Sequence, residues 1–195
     1  MDRLRVGIAL FNAERYLAAH EPLEERWLDD PAGEREACLQ GLIQASAAVY
    51  KSRRGNDDGA GGLAEGARAY LTDCSVVDVG PLRAWLEEVA ADPAVGRETD
   101  PPKLRLDGDA VGVRDLAPAE IAAAAEAVAE ADDDELITAA AGYAERDVAD
   151  GDATSPFVAL AREWVCDQPP VVRQRLREHV ERRSMRESDV EGLFE

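Results

Sequence analysis

Apolar residues recur along most of this chain at the three-and-four spacing that places them on one side of an α-helix. Residues 2–13 carry Leu4, Ile8 and Phe11 at that spacing, and a second helix runs to Trp27 and Leu28 before Asp29-Asp30-Pro31 breaks it. The two are expected to form a helical hairpin. Pro22 has no N–H and clashes with the preceding turn, so the second helix is expected either to start close to His20 or to bend there. The strongest helical pattern spans Glu34 to about Arg54, apolar on most faces through Leu39, Leu42, Ile43, Ala47, Ala48 and Tyr50. It is the expected central helix. Gly55 suits its left-handed C-cap, and Asn56 or Asp57 suits the N-cap of a helix bearing Leu63, Ala67, Tyr70 and Leu71. Gly59, Gly61, Gly62 and Gly66 weaken that helix but permit close approach of a neighbour. Pro81 opens a shorter helix through Leu82, Trp85 and Val89.

Pro93, Gly96, Pro101 and Pro102 then mark residues 92–103 as a linker. Leu104 to Leu106 and Ala110 to Val113, around Asp107-Gly108, predict two short strands and a tight turn. A lone hairpin is marginal and must pack on helices. Four helices are expected beyond it: 118–131 with Pro118 in its first turn, 133–149, 156–167 capped by Ser155, and 170–184. The pattern therefore predicts an all-α protein: a helical bundle with a small β-hairpin and additional C-terminal helices. The expected domains are an N-terminal bundle over 1–92, a linker with the hairpin over 93–117, and a C-terminal helical region over 118–195. No internal repeat is visible.

Composition sharpens this picture. The 195 residues are 46% apolar and 5% aromatic, a mixture suited to closely approaching helices. Asp and Glu number 41 against 22 Lys and Arg, giving a formal charge of −19, and the lysines are Lys51 and Lys103 alone. Such self-repulsion is screened within about 3 Å at roughly 1 M salt, so acid excess with lysine depletion points to a salt-loving, halophilic source. The same charge argues against nucleic acid as a general partner. Cys38, Cys74 and Cys166 show no Cys-x-x-Cys spacing and read as buried thiols in a reducing compartment. The apolar run from Val6 to Phe11 is too short for a signal peptide, and no stretch approaches the roughly 20 apolar residues of a membrane span. The expectation is a cytoplasmic, soluble protein with no membrane partner.

Candidate chemistry gathers near the N-terminus. His20 and Glu24 are four apart, with Trp27 a further turn along, so the three share one side of the second helix beside Leu23. On a buried stripe a histidine and a carboxylate need partners; Gln40 and Gln44 on the next helix, and Asn56 after it, are the expected ones. The predicted arrangement is a small buried His/Glu/Gln network. Its sharper alternative is a divalent-metal or acid–base site on His20, Glu21 and Glu24. A zinc-protease helix would need a second histidine where Glu24 stands, so no metal ligand, catalytic residue or cofactor is assigned.

The set Phe11-Asn12, Tyr16, Ala19-His20-Glu21, Glu24, Trp27, Gly41-Leu42-Ile43-Gln44, Tyr50, Gly55-Asn56 and Gly59-Ala60 resembles the family catalogued as domain of unknown function 309, over residues 5–72. The resemblance implies an all-helical bundle and no established activity. It departs at Glu14, where the family often has glycine, and near Lys51, where it has a histidine. Tyr16, Trp27, Gln40, Gln44, Tyr50 and Asn56 are the candidate binding or network residues.

Arg173 to Arg186 holds six arginines and two glutamates around His179, a local reversal of charge. RNA binding there, through Arg175, Arg182 and Arg183, is one reading; pairing of these arginines with acid-rich surfaces of the protein is the favoured one. Arg53 and Arg54, beside a Gly-Asn turn, form a weaker anion site because Asp57 and Asp58 occupy the same place. Together these features predict a non-catalytic binding or scaffold module acting on a protein or small-molecule partner. A small metal-dependent or acid–base hydrolase is the alternative.

Overall fold

The computed structural model describes residues 1–29 and 36–191, with side chains to residue 189. The helical pattern is realised: the protein is all-α with one small hairpin. The chain forms two compact units, one over Asp2–Asp115 and one built from Leu116 onward.

In the first unit α1 (Arg3–Asn12) and α2 (Tyr16–Asp29) make the expected hairpin, followed by α3 (Ala37–Arg53), α4 (Asp57–Tyr70) and α5 (Gly80–Ala91). The start expected for α3 at Glu34 lies outside the described residues. Asp2 caps α1 by accepting from the Arg5 N–H, and Asn56 caps α4 by accepting from the Gly59 N–H at 3.1 Å. The second helix does not start at His20: it begins at Tyr16 and carries a buried Pro22 inside it. Burial of the ring beside Leu23, which is 1% exposed, offsets the backbone bond that Pro22 has no N–H to make.

Small residues let the helices approach closely. A side chain on Gly41 would sit 2.6 Å from Leu71, which is itself fully buried, and one on Gly7 would sit 2.5 Å from Leu23. Alanines 45, 48, 60, 64 and 67 are fully buried along α3 and α4. The glycines that weaken α4 as an isolated helix are in part what fits it here, since the Gln44 carboxamide occupies the place a Gly66 side chain would take.

Two helix ends show the same backbone motif with different residues. Gly55 ends α3 at φ +73°, with the Asn56 N–H donating to the Lys51 carbonyl at 3.0 Å. Glu14 ends α1 at φ +64°, with the Arg15 N–H donating to the Leu10 carbonyl at 2.9 Å. Glutamate at a left-handed position is strained where glycine is not. Glu14 is also where the sequence departs from the family it resembles.

Residues 92–103 are not the bare linker expected of their prolines. They contain a short helix, α6 (Val95–Glu98), and are bonded along their length: Ser52 Oγ donates to the Pro93 carbonyl at 2.7 Å, and Trp85 Nε1 donates to Thr99 Oγ at 2.9 Å. The hairpin is shorter than its pattern suggests, with β1 (Arg105–Leu106) and β2 (Asp109–Ala110) paired antiparallel, Arg105 opposite Ala110. Asp107 and Gly108 turn it at φ +51° and +90°. Val111 and Val113, expected in the second strand, instead face the core, Val113 opening a 3-10 turn to Asp115. What anchors the hairpin is Asn12. Its amide donates to the carbonyls of Leu104 and Val111, both at 2.9 Å, while its oxygen accepts from the Leu104 N–H at 2.8 Å.

The cysteine expectation is corrected. Cys38 and Cys74 form a disulfide across 36 residues, and Cys74 and Cys166 are only half-buried. Sequence spacing could not reveal the pair, because the packing of α3 on α4 is what brings their Cα atoms to 4.9 Å.

The second unit contains α7 (Pro118–Asp132), α8 (Glu135–Ala149), α9 (Pro156–Asp167) and α10 (Pro170–Glu191). Its core is alanine-rich in α7 and larger elsewhere, with Ile137, Tyr143, Phe157, Trp164 and Leu176 buried. α10 runs past the end expected at residue 184. It is latched to α8 by arginine: Arg173 forks onto Asp134, its Nη2 at 2.9 Å and Nε at 3.2 Å from the carboxylate, and Arg183 meets Asp147 at 3.0 Å and Glu187 at 3.2 Å.

Candidate functional site

The stripe of α2 that packs inward runs through Tyr16, Ala19 and Leu23, which are 5%, 0% and 1% exposed. His20 and Glu24 stand one position further along, turned by about 100° from that line. They therefore lie at the border of the buried face, with side chains 35% and 44% exposed, and Nδ1 of His20 is 3.6 Å from the Glu24 carboxylate. The buried His/Glu/Gln network expected from the sequence does not form as such. It is replaced by a half-exposed i,i+4 pair, because a single helical position separates a core stripe from its edge. Glu21 is exposed, and its carboxylate, that of Glu24 and the His20 ring each present an oxygen or nitrogen within 4.8 Å of the others.

The remaining candidates are dispersed. Gln44 lies against Gly66 and Asn56 bonds Gly59, so both serve the contact of α3 with α4. Gln40 and Trp27 are half-buried on α3 and α2. Tyr50 is half-buried beneath Arg54, whose guanidinium is 4.7 Å from the ring centre. Tyr16 is buried, meets Phe11 edge-on with ring centres 5.2 Å apart, and has Arg53 4.8 Å over its ring. Burial pushes the Tyr16 hydroxyl up to about 12, more than Arg53 draws it down.

Arg53 is spent on more than its cation–π contact, since it pairs with Glu14 and with Asp100. Asn12, which the candidate list omits, does more structural work than any residue on it. Its signal was present in the Phe11-Asn12 element of the resemblance, but nothing local marks a three-way contact with residues 104–111.

In the second unit, Arg173 and Arg183 of the arginine-rich segment pair with Asp134, Asp147 and Glu187. His179 packs edge-on against Phe157 at 5.8 Å, and burial, with Arg182 and Arg186 nearby, lowers its pKa. Tyr143 stacks on Phe157 at 5.0 Å and donates to Glu187 at 3.1 Å.

Fold and site thus define an acidic, all-helical protein with a small surface-edge cluster of one imidazole and two carboxylates on α2. Residues 4–63 match the family model described as Domain of unknown function (DUF309), the same family to which the sequence motifs point. An uncharacterised protein of Aquifex aeolicus (strain VF5) is 30% identical over 99 residues, covering 49% of this chain and 29% of the relative. The aligned region therefore spans under a third of the relative's length. No solved structure matches. No helix among the described residues is long and apolar enough to cross a membrane.

Proposed function

We propose that this chain is a non-catalytic helical binding or scaffold protein. The observation that carries this reading is the employment of the motif residues: Asn12 holds the hairpin, Asn56 caps a helix, Gln44 fills the space beside a glycine and Tyr16 closes the α1–α2 turn. These groups maintain a shape, and among the described residues His20, Glu21 and Glu24 stay at the surface edge of α2. The arginine latch of α10 supports the reading of that segment as internal pairing in preference to RNA binding.

A second reading is favoured by one geometric fact, the convergence of His20, Glu21 and Glu24 ligand atoms within 4.8 Å. Ligands at about 2.0–2.2 Å from a common divalent ion lie within that span of one another, and such an ion would supply the Lewis acid of a small hydrolase. Elemental analysis of full-length protein purified in concentrated KCl without chelators separates the two. Absence of a stoichiometric transition metal, with wild-type melting of His20→Ala to within about 1 kcal/mol, supports the scaffold. One equivalent of metal, lost in His20→Ala and Glu24→Gln, overturns it.

The charge of −19 supports a halophilic source, and melting temperature is expected to climb as KCl is raised from about 0.1 to 1 M, where the screening length shrinks from about 10 to 3 Å. A flat response removes that proposal. A cytoplasmic location loses its argument from reduced thiols, given the Cys38–Cys74 bond.

A further inference from the structure

The disulfide sits at a revealing place. The segment between α4 and α5 is anchored at its two ends, by Leu71 at 0% and Val77 at 3% exposure, while Thr72, Asp73, Ser75 and Val76 between them are exposed. Backbone bonds hold the same ends: the Leu71 N–H donates to the Ala67 carbonyl at 2.9 Å and the Asp78 N–H to the Arg105 carbonyl at 3.1 Å. In the middle, the bond to Cys38 ties the segment to α3. Ser75 and Val76 also form a wall shared by two clefts, one of about 790 Å³ lined by Asp2, Arg5, Asp109 and Asp115, the other of about 440 Å³ lined by Arg83 and Arg105.

The two sulfurs are not equivalent. Cys38 is 5% exposed and is the second residue of a 17-residue helix, whereas Cys74 is half-buried in an irregular segment. The N-terminal amides of α3 favour negative charge, and Glu36 at the N-cap makes no side-chain capping bond to them. Cys74 is therefore the sulfur that an incoming thiolate can reach, and Cys38, beside those amides, is the one that leaves.

We propose that Cys74 is a site of thiol–disulfide exchange with a dithiol reductant, and that exchange there releases the 72–76 wall of the two clefts. One thiolate of the dithiol attacks Cys74 Sγ. The Cys38–Cys74 bond breaks with its electron pair passing to Cys38, which then takes up a proton. The second thiol of the reductant, as thiolate, attacks the mixed disulfide and expels the Cys74 thiolate, which is protonated in turn. The protein gains two electrons and two protons, and the dithiol is oxidised to its disulfide. Loosening is local because Leu71 and Val77 keep their burial and their backbone bonds.

The test uses the full oxidised chain in concentrated KCl. A monothiol, 2-mercaptoethanol, traps the first step, and peptide mass mapping is expected to find its adduct on Cys74 at least tenfold over Cys38. Dithiothreitol is then expected to speed the first cut by an Asp-directed endoprotease, at Asp73, at least tenfold, with the far-ultraviolet helical signal retained. An adduct mainly on Cys38, an unchanged cutting rate, a first cut elsewhere or loss of the helical signal overturns the proposal. In the double variant Cys38→Ala/Cys74→Ser the site is expected to be cut fast with and without dithiol. A dithiol effect that persists there places the cause outside this bond and also overturns it.

Discussion

Replacing Asn12 by alanine is expected to destabilise the first unit more than any change at the His20 cluster. The asparagine makes three bonds of 2.8–2.9 Å to the backbone of Leu104 and Val111, residues that are 1% and 4% exposed. Truncation leaves one N–H and two carbonyls in sites with little access to water. At about 1 kcal/mol per bond the loss sums to about 3 kcal/mol. Unfolding entropy of about 2.1 cal/mol/K per residue makes 1 kcal/mol worth about 4 °C for a unit the length of Asp2–Asp115, so the melting temperature is expected to drop by about 12 °C. Circular dichroism melts in concentrated KCl measure it. Asn12→Asp isolates the donor half of the contact: the acceptor for the Leu104 N–H is kept, but a carboxylate now faces two carbonyl oxygens. Those oxygens raise the carboxyl pKa in the folded state, so the variant is expected to be at least as unstable as Asn12→Ala near neutral pH and to recover as pH falls. A loss below about 0.5 kcal/mol for Asn12→Ala would refute the assignment of the hairpin's anchorage to this side chain.

Glu14→Gly is expected to stabilise the same unit by about 1 kcal/mol, since it relieves a glutamate at φ +64° and forfeits only an exposed 3.3 Å pair with Arg53; a lower melting temperature would show that the pair outweighs the strain. Arg183→Ala strands Asp147, whose side chain is 11% exposed, and is expected to lower stability of the second unit by about 1–3 kcal/mol in urea titrations, with Arg175→Ala near neutral as the comparison. Tyr16, pushed up to about 12 by burial, stays protonated in the folded state while the unfolded chain ionises from about pH 10. Its contribution is thus complete below pH 10 and is lost between about pH 10 and 12, and spectrophotometric titration is expected to show Tyr16 ionising late, an effect absent from Tyr16→Phe.

Much of the architecture was legible because helices are local objects. Periodicity placed nearly every long helix, and Asn56, Gly55, Ser155, Pro81 and Pro118 stand at the ends their chemistry predicts. The family resemblance was legible for the same reason, as it rests on residue types at fixed spacing within residues 4–63. The candidate site was legible only as a sequence cluster. Periodicity shows that His20 and Glu24 share a side of α2, but a rotation of one residue about the axis decides between core and border, and packing against α1 and α3 sets that rotation.

What the sequence by itself determined is therefore the set of helices, their caps and the acidic charge they carry, all governed by interactions within a few residues. Tertiary structure alone decided the Cys38–Cys74 bond, the hold of Asn12 on residues 104–111, the fit of Gln44 and Leu71 against glycines, and the exposure of the His20 cluster. Each of these joins groups distant along the chain or depends on which face of a helix its neighbours cover. Such contacts acquire their energy only once whole elements have packed, and no local pattern encodes them.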